Sequence, residues 1–323
     1  MHSSLFFKLF PPPNYLVMPH VGLDISDDAI HCIEYRRTFK GLVISKFAAQ
    51  ELPVGLINGG DIKDEKEFLA ILSAFVAKQG ISYCKVSLPE EKIYQFQTDV
   101  PTADFASIAQ NIESKIDQNV PLAAPDALFH FDLIPQQVTG GSLRASVSVA
   151  PRSYVEHFME LLRSAHISPM AFEVVPKAIV ASYAKPQDKG THLIIHVMTK
   201  KTGLYIVSEG VLCFTSTVSQ GSNDVASNFD KNISQPLMAE IERVFTYWSS
   251  RTDVHAQISE VIIAGSGAVA CGEMIRRDGV STMPKSMLVD VWHNAFDINS
   301  YIPPISHFDS LSYAVAAGLA LPS

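Results

Sequence analysis

The chain has 323 residues, 47% hydrophobic and 18% charged, which fits two domains with sizeable cores and excludes a disordered or fibrous protein. Its net charge of −8 provides no overall basic field, so nucleic acid is not expected as a partner. The four cysteines lack C-x-x-C spacing and have no histidine at a zinc-finger interval, so they read as reduced, buried thiols of a cytoplasmic chain.

Residues 1–19 are apolar, but Lys8 interrupts the run and Pro11, Pro12 and Pro13 stop it, so they read as a tail and not as a secretion signal. No run of about 18 apolar residues predicts a membrane-spanning helix. From residue 20, VGLDI, AIHCIEYRR and LVISKFAAQEL predict three strands, rich in β-branched and aromatic residues and separated by turn-formers. A helix follows, with Asp64 as its cap and Glu67 three residues on. Phe68, Leu69, Leu72, Phe75 and Val76 give it one apolar stripe, and Gly80 ends it. CKVSLP, at 84–89, reads as a buried strand.

Residues 90–167 read as a separate α+β unit. KIYQFQTDVP alternates, and Thr102 is the expected cap of a helix carrying Phe105, Ile108, Ile112 and Ile116. FHFDLIP and RASVSVA are short strands joined at Gly140 and Gly141. A helix over 151–165 turns Tyr154, Val155, Phe158, Leu161 and Leu162 inward. FEVVP, at 172–176, and the helix after it resume the first domain, up to a linker at 185–190.

After the linker the opening pattern returns: LIIHVM, TGLYIVSEG and VLCFTSTV are again three strands, the clearest internal duplication in the chain. A helix over 236–250 is expected to have Pro236 in its first turn and Leu237, Ile241, Val244, Phe245 and Trp248 inward. VIIAGSGA reads as a buried strand entering a glycine-containing turn, and DSLSYAVAAGLAL as a small-residue helix able to dock closely.

Two domains that each open with three antiparallel strands and face each other across a cleft make an α/β protein of actin-like (ribonuclease H-like) architecture. The expected parts are 20–89 plus 168–188 as the first domain, 90–167 inserted in it, 189–308 as the second, and a helix at 309–323 docking back on the first. In such a frame the first turn of each domain offers backbone N–H groups to phosphate. A carboxylate in the first hairpin orients hydrated Mg²⁺, and a late glycine turn lets a nucleoside lie against the backbone.

Segments 20–35, 53–63, 191–210, 236–248, 261–268 and 309–321, in their order and spacing, resemble the PilM family of type IV pilus assembly proteins, relatives of the division protein FtsA. The resemblance implies a cytoplasmic adaptor that binds ATP or ADP, with Mg at Asp24. It implies a grip on the N-terminal cytoplasmic tail of a PilN-like inner-membrane protein. Through that partner and other pilus assembly proteins the chain would sit at the inner face of the membrane without inserting in it, with room for self-association.

The family's first hairpin, G-I-D-I-G-S-S-S-V-K, keeps Gly22, Asp24 and Ile25 here. Ser26 stands where Gly is usual, Asp27 and Asp28 where small hydroxyls are usual, and His31 where Lys is common. Two carboxylates there repel a phosphate by about a few kcal/mol per charge pair at ~4 Å and a surface-like dielectric. The second pattern, D-I-G-x-x-x-T-x-L, reads HVMTKKTGL. Thr202 and Leu204 match, His196 replaces the carboxylate and Met198 the Gly, while Thr199, Lys200 and Lys201 bring hydroxyl and positive charge. Gly221 lies near the family's glycine doublet, Glu240 and Arg243 fall where relatives hold the nucleoside, and AGSGA puts Gly265, Ser266 and Gly267 in the late turn.

Each of these has a structural reading as well. Asp24 can be a strand-end carboxylate, His196 a satisfied core histidine, Lys200–Lys201 a solvated pair, AGSGA a tight turn, and Glu240–Arg243 an ion pair at i, i+3. Hydrolysis needs a residue that positions water and a well-placed metal. With no convincing base and no second-hairpin carboxylate, hydrolysis is expected to be weak or absent. The alternative is an ATP-dependent phosphotransferase such as a sugar kinase, which needs an aspartate base and an intact second phosphate turn. An FtsA-like membrane filament is disfavoured, since GLALPS is no basic amphipathic helix.

Overall fold

Three runs of β-branched and aromatic residues become β1 (Val21–Ile25), β2 (Ala29–Thr38) and β3 (Gly41–Glu51), an antiparallel meander. The computed structural model describes residues 19–38, 41–139, 142–185, 188–227, 231–251, 257–278 and 283–322. Helix α1 (Glu65–Gln79) crosses to β4 (Tyr83–Leu88), which lies parallel to β1. Asp64 accepts the Glu67 N–H at 2.9 Å, and Gly80 closes the helix at φ 62°. Asp64→Ala leaves that N–H without its cap and is expected to cost about 1 kcal/mol in urea denaturation.

The chain then builds β5 (Tyr94–Pro101), α2 (Phe105–Glu113), β6 (Ala127–Thr139) and β7 (Ser142–Pro151), with the strands ordered β5-β7-β6 around their own core. Asp104, not Thr102, caps α2, accepting the Ser107 N–H at 3.0 Å. The aspartate sits directly before the first helical residue, where its short carboxylate reaches that N–H. Ile116 begins a separate short helix, and Phe105 stays 72% exposed while stacking on Phe131. The expected turn at Gly140 and Gly141 lies outside the described residues. Helix α3 (Arg152–Ser164) was expected to belong to this unit, but Phe158 and Leu162 bury themselves in the core of the first sheet. Then β8 (Ser168–Val174) joins β4 in parallel, and α4 (Val175–Tyr183) leaves the domain.

The second domain repeats the plan. β9 (Thr191–Val197), β10 (Thr202–Ser208) and β11 (Val211–Val218) form the meander. Helix α5 (Lys231–Ser250) crosses to β12 (Glu260–Ala264), parallel to β9, and α6 (Ala268–Asp278) leads to β13 (Ser286–Leu288). The two sheets run β8-β4-β1-β2-β3 and β11-β10-β9-β12-β13, the same topology twice. Helix α5 starts at Lys231, so Pro236 lies inside it and not in its first turn. A proline there removes one N–H bond without stopping the helix, and Leu237, Ile241, Val244 and Trp248 are buried as expected.

The small-residue helix α7 (Ala314–Ala320) is buried along its whole length. It lies over β1 and against α4 at backbone distance. A Cβ added to Gly22 would fall 2.5 Å from the Ala320 nitrogen and closer still to the Ala316 oxygen. One added to Gly318 would lie 2.7 Å from the Ala178 carbonyl carbon, and nearer to its oxygen. Among the described residues no helix is long and apolar enough to cross a membrane.

Candidate functional site

The parallel strands β1, β4, β8 and β9 end at one place, the gap between the two domains, where open α/β sheets gather their functional groups. Asp24 and Ile25 come from the end of β1, Pro89 and Glu90 from the end of β4, and Val175 from the end of β8. His196, Met198 and Lys201 come from the β9–β10 hairpin. Together with Ser26 and Asp27 they enclose about 30 Å³, room for about one water.

The first turn is closed on itself. The Ser26 hydroxyl donates to the Ala29 carbonyl at 3.0 Å and accepts the Ala29 N–H at 3.1 Å. The Asp27 carboxylate accepts the N–H groups of Gly59 and Gly60 at 2.9 and 3.2 Å. Those two glycines have φ of 58° and 76°, so successive amides point into one concavity, an anion nest that Asp27 fills. Asp24 is buried and accepts a 2.7 Å bond from the Ser87 hydroxyl. Burial raises its carboxyl to about 6, against the pull of Ser87 and Lys201.

The second turn reaches across the gap. The Lys201 ammonium pairs with Glu91 and sits 3.7 Å from Asp27, while Lys200 lies 3.8 Å from Asp28. Burial alone would depress the Lys201 ammonium, but Glu91, Glu90 and Asp27 outweigh it and hold the pKa above its ordinary value. Glu90 is enclosed beside them and burial raises it to about 8. His196 is buried and lowered by desolvation to about 3, so it is a neutral ring in the core. His31 is likewise lowered by burial, to about 4, and packs edge-on against Tyr313 with ring centres 4.9 Å apart.

The family model for the type IV pilus assembly protein PilM matches residues 22–232, well over half of the chain. The chain belongs to the PilM family. Among solved structures, a PilM–PilN type IV pilus biogenesis complex is similar at a TM-score of 0.74 and 15% identity, over 94% of this chain and 98% of that one. The ethanolamine utilization protein EutJ from Carboxydothermus hydrogenoformans is similar at a TM-score of 0.51 and 12% identity, over 97% and 91%. These likenesses establish the actin-like ATPase fold. No curated protein sequence matches the chain.

That fold implies nucleotide and Mg²⁺, and the donors of this PilM-family chain do not fit them in this arrangement. Thr202 is buried and its hydroxyl donates to the Gln220 carbonyl at 2.7 Å. Thr199 and Met198 hold the chain after β11: their carbonyls accept the Asn223 and Ser222 N–H groups at 3.2 and 2.8 Å. Gly221 lies on this turn, where a Cβ would collide with both carbonyls, and its N–H goes to Asp224 at 2.9 Å. The late glycine turn packs on the end of β9. The Gly267 N–H donates to Val197 at 3.2 Å and the Gly265 N–H to Leu311 at 3.0 Å, leaving Ser266 exposed. Gly265 has φ 95° and a Cβ there would strike Val197, so the glycine is needed for this packing.

The structure therefore brings Asp24, Ser26 and the Thr199–Lys201 turn together, and folds Gly221, Gly265 and Gly267 around that turn. It gives Glu240 and Arg243 a different task. They bond to each other at 2.5 and 2.8 Å, with Glu240 also accepting from Ser216 at 3.0 Å. Among the described residues no three His, Cys, Asp or Glu side chains are grouped to hold a metal. Sequence reasoning placed Lys200 at the site, but Lys201 is the enclosed lysine, 15% exposed against 46%. It also missed Glu90 and Glu91. Their signal was position: two carboxylates directly follow the buried strand β4, at the end that faces the cleft.

Proposed function

We propose that the chain is an adaptor of type IV pilus or related secretion assembly, gripping the N-terminal cytoplasmic tail of a PilN-like inner-membrane protein. The observation that carries this reading is a groove of about 370 Å³ between the first domain and the inserted unit. Phe172 and Val174 of β8 form one wall, and Leu128 and Phe129 of β6 the other. Both β8 and β6 are edge strands of their sheets, so an extended peptide can add main-chain bonds on either side and seat its apolar residues between them. Lys177, His130 and Glu173 supply polar groups around it, with Lys177 paired to Asp132 at 2.6 Å.

In this reading the chain is cytoplasmic and reaches the inner face of the membrane through its partner and other pilus proteins. It is a binding module, not an enzyme. The sugar-kinase alternative requires a cleft that admits two substrates, and nothing in the narrow gap at Asp24 favours it. A labelled peptide with the N-terminal sequence of a PilN-like protein tests the proposal by fluorescence anisotropy. Binding is expected in the micromolar range, and Leu128→Ala, whose side chain lines the groove outside the cores, is expected to weaken it about 10-fold, ~1.4 kcal/mol, while leaving the melting temperature within a few degrees. A peptide that stays unbound at high micromolar concentration, or binds both proteins equally, overturns the reading.

A further inference from the structure

We propose that this chain closes its interdomain cleft with its own ion pairs where an actin-like ATPase would use a nucleotide. The anion is Asp27. Its carboxylate occupies the Gly59–Gly60 nest of the first domain and faces the Lys201 ammonium of the second, the set of partners a phosphate oxygen would take. Glu91 adds a second pair to the same ammonium, and Lys200–Asp28 a third, more exposed one.

The substitutions that look like erosion in the sequence thus act together. The carboxylates that would repel phosphate in the first turn are those that hold the lysines of the second. With these pairs in place the side chains leave about 30 Å³ beside Asp24, room for about one water. Closure has a second attachment on the inserted unit. Gln95 and Gln97 of β5 donate to the Leu212 and Cys213 carbonyls of β11 at 3.3 and 3.0 Å, and Ser146 of β7 donates to Leu212 as well. The domains are therefore tied on both sides of the gap by groups the chain itself supplies.

The test compares the full-length chain with Lys201→Met and the milder Asp28→Asn, by amide hydrogen exchange at residues 26–29, 59–60 and 198–202, and by thermal shift with ATP or ADP and Mg²⁺. The wild type is expected to show no melting shift at millimolar nucleotide. Lys201→Met is expected to raise exchange at Gly59 and Gly60 at least about tenfold, and Asp28→Asn to raise exchange in the two turns about threefold. Should Lys201→Met not fold, Asp28→Asn decides the question alone. A wild-type melting rise of several degrees with nucleotide overturns the proposal. So does unchanged exchange in the folded variants.

Discussion

Gly318→Ala is expected to lower the melting temperature by roughly 10 °C, the consequence of about 3–5 kcal/mol lost. The cause is geometric. Helix α7 meets α4 with its backbone, and the new Cβ would stand 2.7 Å from the Ala178 carbonyl carbon and closer to its oxygen. The obstacle is main chain of another helix, so no rotamer change relieves it. Gly22→Ala meets α7 from the side of β1 and should fail in the same way, through the Ala316 oxygen and the Ala320 nitrogen. Helix propensity pulls the other way: alanine in a helix gains up to about 1 kcal/mol over glycine. A melting curve that rises or stays level for Gly318→Ala would show that this contact is looser than described.

Between pH 6.5 and 8 the wild type is expected to lose roughly 1.5 kcal/mol of stability relative to Glu90→Gln. Burial holds the Glu90 carboxyl near 8 in the fold, against an ordinary 4.5 when unfolded. Across that window the folded chain keeps a proton that the unfolded chain has released, so stability falls as pH rises and levels off above about 8. Asp24 acts in the same direction between 3.8 and about 6. His196 and His31 act oppositely. Their ordinary value of 6.5 falls to about 3 and about 4 in the fold, so the unfolded chain gains protons first, and stability rises with pH up to 6.5. Above 6.5 the histidines and Asp24 complete their titration, but they do so alike in both proteins, so the difference between the two isolates Glu90. Glutamine mimics the neutral acid and preserves the Thr217 contact. Urea denaturation at several pH values measures both slopes, and equal slopes in the two proteins would refute the assignment.

The fold was legible where local chemistry sufficed. Alternating β-branched runs gave both meanders, Asp64 and Gly80 marked the ends of α1, and the alanine-rich stretch around Gly318 announced a closely docked helix. Positions fixed by tertiary packing were less legible. Thr102 and Asp104 are both acceptable caps, and where the helix begins decided between them: Asp104 stands directly before its first residue. Phe158 and Leu162 make a good apolar stripe against either neighbouring sheet. At the site, residue types showed that phosphate binding was weakened, but not what replaced it. Whether Lys200 or Lys201 points inward depends on how two distant hairpins meet across the gap. The Glu240–Arg243 pair, by contrast, followed the ordinary i, i+3 rule of a helix surface.

The placement of α7 also bears on how the protein is made. The strand it covers, β1, leaves the ribosome before the inserted unit and the second domain, while its cover, α7, follows both. Until then β1 has one apolar flank open to water, beside a complete inserted unit that can already fold around its own core. The first domain is thus expected to mature only once residues 314–320 have been made, and a nascent chain halted before residue 314 should need a chaperone to stay in solution.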